Sequence, residues 1–261
     1  MPTAVQGTAA FGKFMQVLQL VADAPGPMTT AELTRASGFP RPTLHRIVAA
    51  LLAEGLLREA EGGGSYELGP RLMALASRSW GRSGLRGAAG EALRQLRDTT
   101  GETVHLAVPS GTRMVYIEKL ESPSAVRMAS RVGSSMPMHS TAVGKAYLAA
   151  LDEARREALL PTLELTRHTD HTVVRPEALR RQLQRVQADG WSVDDEENEA
   201  GITCYGAVIR GGQGEPVGAV SVSTLRYRQP ADVQAAYVQP LLAAVQAISA
   251  RIAGMPTSDE A

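Results

Sequence analysis

Among 261 residues there is one cysteine, Cys204, so no intrachain disulfide framework holds this chain together. Lysine plus arginine number 27 and aspartate plus glutamate 27, which leaves no net charge and no bulk field to announce a nucleic-acid partner. No apolar run approaches the roughly 20 residues of a membrane span, and the N-terminus lacks the charged-then-apolar pattern of a secretory leader. The expected location is the cytoplasm. What is present, 44% hydrophobic and 21% charged residues, is ordinary for a globular chain with room for two modest domains.

The most patterned stretch runs from Thr29 to Leu57, TTAELTRASGFPRPTLHRIVAALLAEGLL. Thr29 and Glu32 have capping-box spacing, Gly38 can end the first helix in the left-handed conformation, and Pro40 and Pro42 fix the entry to a second. That second helix carries Leu44, Ile47, Val48, Leu51 and Leu52 as one apolar stripe. Its other face offers Thr43, His45 and Arg46 in the first turns, with Arg41 just before it. Hydrogen-bonding side chains so placed suit base edges and phosphates, and Arg46, permanently charged and able to bond guanine with two donors, suits them best. A hairpin of helices with ordinary solvated polar residues fits the same pattern.

The flanks decide between these readings. Upstream, Phe11, Phe14, Met15, Leu18 and Val21 repeat at helical spacing and predict a third helix against the pair. Downstream, Leu56 to Glu59 and Ser65 to Leu68 flank Gly62-Gly63-Gly64 and predict a two-stranded wing. A winged helix-turn-helix follows, and with it DNA binding. Residues 1–80 hold seven basic and six acidic side chains, so affinity must come from local placement and from pairing two copies rather than from a basic domain.

Leu72, Leu75, Ala76 and Trp80 then suit one connecting helix, and Leu85, Ala89, Leu93 and Leu96 a second, with a break at Gly81 to Gly84. From Thr103 the period becomes that of strands: Val104, Leu106 and Val108; Met114 to Leu120; and a third run with Val126 and Met128. Helices are predicted at Thr141 to Leu151 and Pro176 to Asp189, strands at Cys204 to Arg210 and Val217 to Leu225, and a last helix from Ala231 to Ile252. The expected fold class is α+β, with helices packed on an antiparallel sheet.

Four blocks in order, TLHRIVAAL with the wing and YELG, MPMHSTAVGKAYLA, GWSVDDEENEAGITCYGAVI and PVGAVSVS, give the chain a resemblance over nearly its whole length to the IclR family of bacterial transcriptional regulators. The resemblance implies a winged helix-turn-helix domain over 8–69, a linker helix over 70–84 and a GAF-like effector-binding domain over 85–255. It further implies a homodimer or dimer of dimers on palindromic double-stranded operator DNA, and a small metabolite, often an organic acid in this family, in the C-terminal domain. Carried onto this sequence, the effector site comprises Ala125, Met128, Met136, Ala142, Val143, Asp194, Ile202, Cys204, Ser221 and Ser223; the DNA-contacting set is Arg41, Pro42, Thr43, His45 and Arg46. Many members have a small hydroxylated residue where this chain has Pro42, which removes a backbone amide and is expected to hold Arg41 extended.

Strand geometry agrees in part, since Ser221 and Ser223 share one face and Val220 and Val222 the other. Two adjacent hydroxyls suit a carboxylate, though they also suit a merely satisfied polar pair. Asp194-Asp195-Glu196-Glu197 reads as a solvated loop rather than a cation site, and His168, Asp170 and His171 lack an established zinc spacing; no metal or cofactor is expected. The alternative function is a small-molecule enzyme using Cys204 as nucleophile and His139 as base, for which no third orienting group is evident.

Overall fold

The capping box forms as its spacing requires. Thr29 N–H donates to Glu32 Oε2 at 2.8 Å and Glu32 N–H donates to Thr29 Oγ1 at 3.3 Å. The structure, a computed structural model, describes residues 9–125 and 127–254, with the backbone alone for 77–83. Val126, the Trp80 side chain, and residues 8 and 255 at the outer ends of the expected domains lie outside the described set. The chain divides into two compact units, Met1–Ser83 and Gly84–Ala261.

In the first unit, helix α1 (Ala9–Asp23) is followed by strand β1 (Met28–Thr29), helix α2 (Thr30–Ser37), helix α3 (Arg41–Ala53), strands β2 (Leu57–Glu59) and β3 (Ser65–Leu68), and helix α4 (Pro70–Ser83). Val17, Leu18 and Val21 of α1 close a core with Leu33, Leu44, Ile47, Val48, Leu51 and Leu57. Phe11 and Met15, expected in that core, are 66% and 45% exposed. The stripe that meets the other helices runs through Phe14, Val17, Leu18 and Val21; Phe11 lies a turn beyond its end and Met15 beside it. The wing has a third strand, β1, which pairs Met28 with Tyr66 in the order β1-β3-β2. Two residues show no alternation, so β1 left no period to read.

Arg41 is also corrected. It is the first residue of α3 rather than an extended residue ahead of it, because the N–H groups of Thr43 and Leu44 both donate to Pro40 O and close the first turn around it. Pro42 sits in that first turn, where a missing N–H breaks no helical bond.

The second unit opens with helix α5 (Leu85–Thr100), so that only Gly84 separates it from α4. Strands β4 (Thr103–Ser110), β5 (Arg113–Leu120) and β6 (Ser135–Pro137) follow, then helices α6 (Ala142–Ala150), α7 (Glu153–Leu159) and α8 (Pro176–Asp189), strands β7 (Ser192–Asp195), β8 (Ile202–Arg210) and β9 (Pro216–Leu225), and helix α9 (Gln239–Ala253). One antiparallel sheet takes the order β6-β5-β4-β9-β8-β7. Leu93, Val220, Val222 and Leu241 belong to a core on the α5 and α9 side of the sheet. Ala219, Met114, Val143 and Leu183 belong to a second core on the α6 and α8 side. Strand alternation therefore turns Ser221 and Ser223 toward α6.

Three expectations fail here. Met128 is in an irregular segment, and the strand that follows β5 is β6, nearer the chain's return to α6. Asp194 lies on β7 and, with Glu197, is buried rather than in a solvated loop, because Lys145 of α6 is itself buried and takes Glu197 as its partner at 2.5 Å. The last helix does not run unbroken from Ala231: a π-helical turn at Gln234–Val238 precedes α9. Among the described residues, no helix is long and apolar enough to cross a membrane.

Gly144 explains how closely α6 seats. A Cβ there would lie 2.4 Å from both Met138 Cα and Met138 O, backbone atoms that cannot swing aside. Gly144→Ala should destabilise the unit by about 1–3 kcal/mol, as overpacking does. Urea unfolding of the two proteins checks this; coincident midpoints would mean that α6 can shift without cost.

Candidate functional site

The first candidate site is the outer face of α3. Leu44, Ile47, Val48 and Leu51 are buried, which leaves Arg41, Pro42, His45, Arg46 and Ala49 exposed and Thr43 half-buried. Among the described residues neither Arg41 nor Arg46 takes part in an ion pair, whereas Arg58 on the wing is tied to Glu67 at 2.9 Å and Arg71 to Glu54. The wing tip is Gly62-Gly63-Gly64, with φ of 99°, 74° and 76° that side chains tolerate poorly, next to Glu59 and Glu61. Among the described residues α3 thus carries two exposed cations outside any ion pair, with Arg35 of α2 and Lys13 of α1 as others in this unit.

The second is a cavity of about 40 Å³ between the sheet and the N-terminus of α6. Its wall brings together Met128, Met136, Ala142, Val143, Asp194, Ile202, Cys204, Ser221 and Ser223. Ala125 is exposed and stands outside it. Sequence reasoning missed His105, Tyr116, Ser130, Asn198 and Glu199, which with Thr141, the start of the helix predicted there, complete the wall. His105 was findable in part: it alternates with Val104 and Leu106, and the register sets it opposite Ser221. That register is a long-range fact with no local signature.

The polar groups converge in specific ways. Ser223 Oγ is 3.3 Å from His105 Nδ1, and Ser130 Oγ is 2.8 Å from His105 Nε2. The imidazole stacks on Tyr116 with centroids 4.4 Å apart. Burial, helped by Lys119, drives the His105 pKa down to about 3, so the ring is neutral at ordinary pH. Thr141 caps α6, accepting from Gly144 N–H at 3.3 Å while its own hydroxyl donates to Pro137 O at 2.6 Å. The other amides of that first turn face an anion-friendly helix end. Burial lifts Asp194 to about 7, against the opposing pull of Lys145 and of the backbone N–H groups of Asn198 and Glu197.

The setting of Cys204 does not activate it as a nucleophile. Burial raises its thiol, the opposite of what a nucleophile needs. His139 is not in the cavity wall; its Nε2 meets Thr166 O at 3.0 Å and its ring stacks on His168 at 5.8 Å. Among the described residues, no three His, Cys, Asp or Glu side chains converge as metal ligands.

A winged helix-turn-helix joined to a domain with a small mixed-polarity cavity defines a transcriptional regulator that carries its own receptor. Residues 12–61 match the IclR helix-turn-helix domain, and residues 78–250 match the C-terminal domain of bacterial transcriptional regulator IclR. The chain is 32% identical over 214 residues to the HTH-type transcriptional regulator XynR of Escherichia coli K12, covering 82% of this chain and 85% of the relative. It is 35% identical over 216 residues to the HTH-type transcriptional regulator Rv1719 of Mycobacterium tuberculosis H37Rv, covering 83% and 82%. The crystal structure of an IclR homologue from Microbacterium hydrocarbonoxydans, complexed with 4-hydroxybenzoate, superposes with a TM-score of 0.81 at 26% identity, covering 95% of this chain and 100% of that one. The chain belongs to the IclR family of bacterial transcriptional regulators, with an HTH DNA-binding domain and an IclR-type C-terminal domain.

Proposed function

We propose that this regulator is set by a small organic acid held between Ser221, Ser223, His105 and the N-terminus of α6, with Met128 and Met136 on its apolar flank. The observation that carries the reading is this cluster of buried hydroxyls beside a capped helix start in one cavity. Among the described residues the Ser221 hydroxyl bonds no other protein group, which fits a ligand contact better than a satisfied polar pair. The 4-hydroxybenzoate in the Microbacterium homologue supports an aromatic carboxylic acid as the first class to test, and because a cavity of about 40 Å³ has room for little more than a water, its binding requires the cavity to widen.

In this reading residues 8–69 read DNA, 70–84 link, and 85–255 receive the effector. Arg41, Pro42, Thr43, His45 and Arg46 contact a palindromic operator. Two copies, as a dimer or a dimer of dimers, match half-sites about 34 Å apart, one helical turn of DNA. The effector acts only through different affinities for the DNA-competent and DNA-incompetent arrangements. The protein works in the cytoplasm and catalyses no reaction.

A thermal-shift screen of small carboxylic acids against the full chain tests this. At least one acid should raise the melting temperature, and a screen in which none does would remove the acid reading. Ser221→Ala and Ser223→Ala should each weaken the acid found by several-fold, since a hydrogen bond contributes about 0.5–1.5 kcal/mol. Calorimetric titration reads that loss, with operator binding in the absence of acid as the control for folding.

A further inference from the structure

The cavity assigned to an acid is walled by carboxyls and not by cations. Asp194 and Glu199 line it, and no lysine or arginine does. Glu199 is exposed to solvent, but Asp194 is 3% exposed. Lys145 of α6 is paired outside the wall: its Nζ lies 2.5 Å from Glu197 Oε1 and 3.4 Å from Gln182 Oε1, so its field reaches Asp194 without the ammonium entering the cavity. Asp194 Oδ1 accepts the N–H groups of Glu197 at 2.8 Å and Asn198 at 3.1 Å, which leaves Oδ2 for the cavity.

The cations near Asp194 act from outside the wall: the field of Lys145 opposes the effect of burial on Asp194, and Lys119 of β5 donates to Met128 O at 2.8 Å and Ser130 O at 2.7 Å. Cys204, directly opposite it in the β7–β8 register, is a thiol kept neutral by burial. Tyr116 of β5 is a phenol that burial holds protonated, and His105 of β4 is a neutral ring. A carboxylate entering this space beside an ionised Asp194 would set two like charges side by side at a buried group, a conflict that one proton removes.

We propose that the effector acid binds with uptake of one proton, shared between its carboxylate and Asp194 Oδ2, so that Asp194 selects the ligand as a hydrogen-bond donor. This rests on the organic-acid reading above. The residue is predisposed to it, because burial already brings its free-state pKa to about 7. Below that pH Asp194 holds its proton and affinity is level. Above it the free protein must regain the proton to bind, and affinity falls tenfold per pH unit. The mode favours ligands whose buried group accepts a hydrogen bond, which carboxylates do and ammonium groups do not.

Calorimetric titration of the full chain with 4-hydroxybenzoate, benzoate and propionate, and with their primary amides, at about pH 6 and about pH 8.5 in buffers of different ionisation heat, tests the proposal. The expected result is an acid bound roughly 30-fold more tightly at the lower pH, with about one proton taken up per site at the higher. Asp194→Asn, whose amide donates without titrating, should flatten that profile while melting near the parent temperature. Asp194→Ala, which cannot donate, should weaken binding at both values. Equal affinity at both pH values without proton uptake overturns the proton-coupled mode and leaves the acid reading intact. Amides binding in place of acids, or no acid binding at either pH, overturns the acid reading and this mode with it.

Discussion

Replacing Arg46 with alanine should lower operator affinity by roughly 10- to 100-fold and leave the melting temperature and effector binding unchanged. The magnitude is that of one bidentate guanidinium–guanine contact, about 1–3 kcal/mol. Arg46 is exposed on α3, outside any ion pair among the described residues, while Leu44, Ile47 and Val48 on the opposite face anchor the helix. The substitution therefore removes a contact without disturbing packing. The wing offers little compensation. The wing's Arg58 is held by Glu67, and its tip is glycine beside two glutamates. Arg41, at the helix entrance, suits a phosphate, so Arg41→Ala should weaken all sequences alike and reduce the salt slope by about one. Mobility shifts with the operator and with scrambled duplex separate the two effects. If Arg46→Ala binds operator normally, α3 is not the reading helix.

Much of the first unit was legible because its determinants are local. A capping box, a glycine stop and a three/four apolar stripe each act over a few residues, and the structure has them all at Thr29, Gly38 and along α3. Where a local rule met a competing bond, it lost: the residue before a proline prefers extended backbone, but two amides reaching back to Pro40 O draw Arg41 into the helix. In the second unit the alternation of β9 was enough to give Ser221 and Ser223 a common face. The pairing of β9 with β4 that delivers His105 to the same cavity was not legible, since strand partners are chosen across more than a hundred residues. Nor was the burial of Asp194 and Glu197. Four consecutive acids look solvated until their counter-charge is known, and that charge comes from a helix some fifty residues earlier.

That counter-charge predicts the largest loss of stability from a single change. Lys145 and Glu197 are both almost fully buried, and their pairing is supported by Gln182 Nε2, which donates to Glu197 Oε1 at 3.1 Å. Lys145→Met leaves the Glu197 carboxylate without its cation, and breaking a buried pair in this way costs about 3–5 kcal/mol. For a unit of this size that is a fall in melting temperature of roughly 6–20 °C. Adding Glu197→Leu removes the orphaned charge as well, and the double variant should recover much of the loss, because a buried pair is worth far less relative to apolar residues than relative to half of itself. Calorimetry of the single and double variants at fixed pH measures both numbers. A Lys145→Met protein melting within two or so degrees of the parent would mean that Glu197 escapes to solvent at little cost.

The consequence reaches the cavity through the backbone. The N–H of Glu197 is one of the two donors that hold Asp194 Oδ1, and the Thr172 hydroxyl donates to Glu197 O at 2.6 Å. The ion pair thus fixes the turn that aims Asp194. Effector binding in Lys145→Met should weaken beyond what its lower stability explains, and the Glu197→Leu addition should restore stability more fully than affinity, since a leucine there repacks the turn without the geometry that the carboxylate imposed.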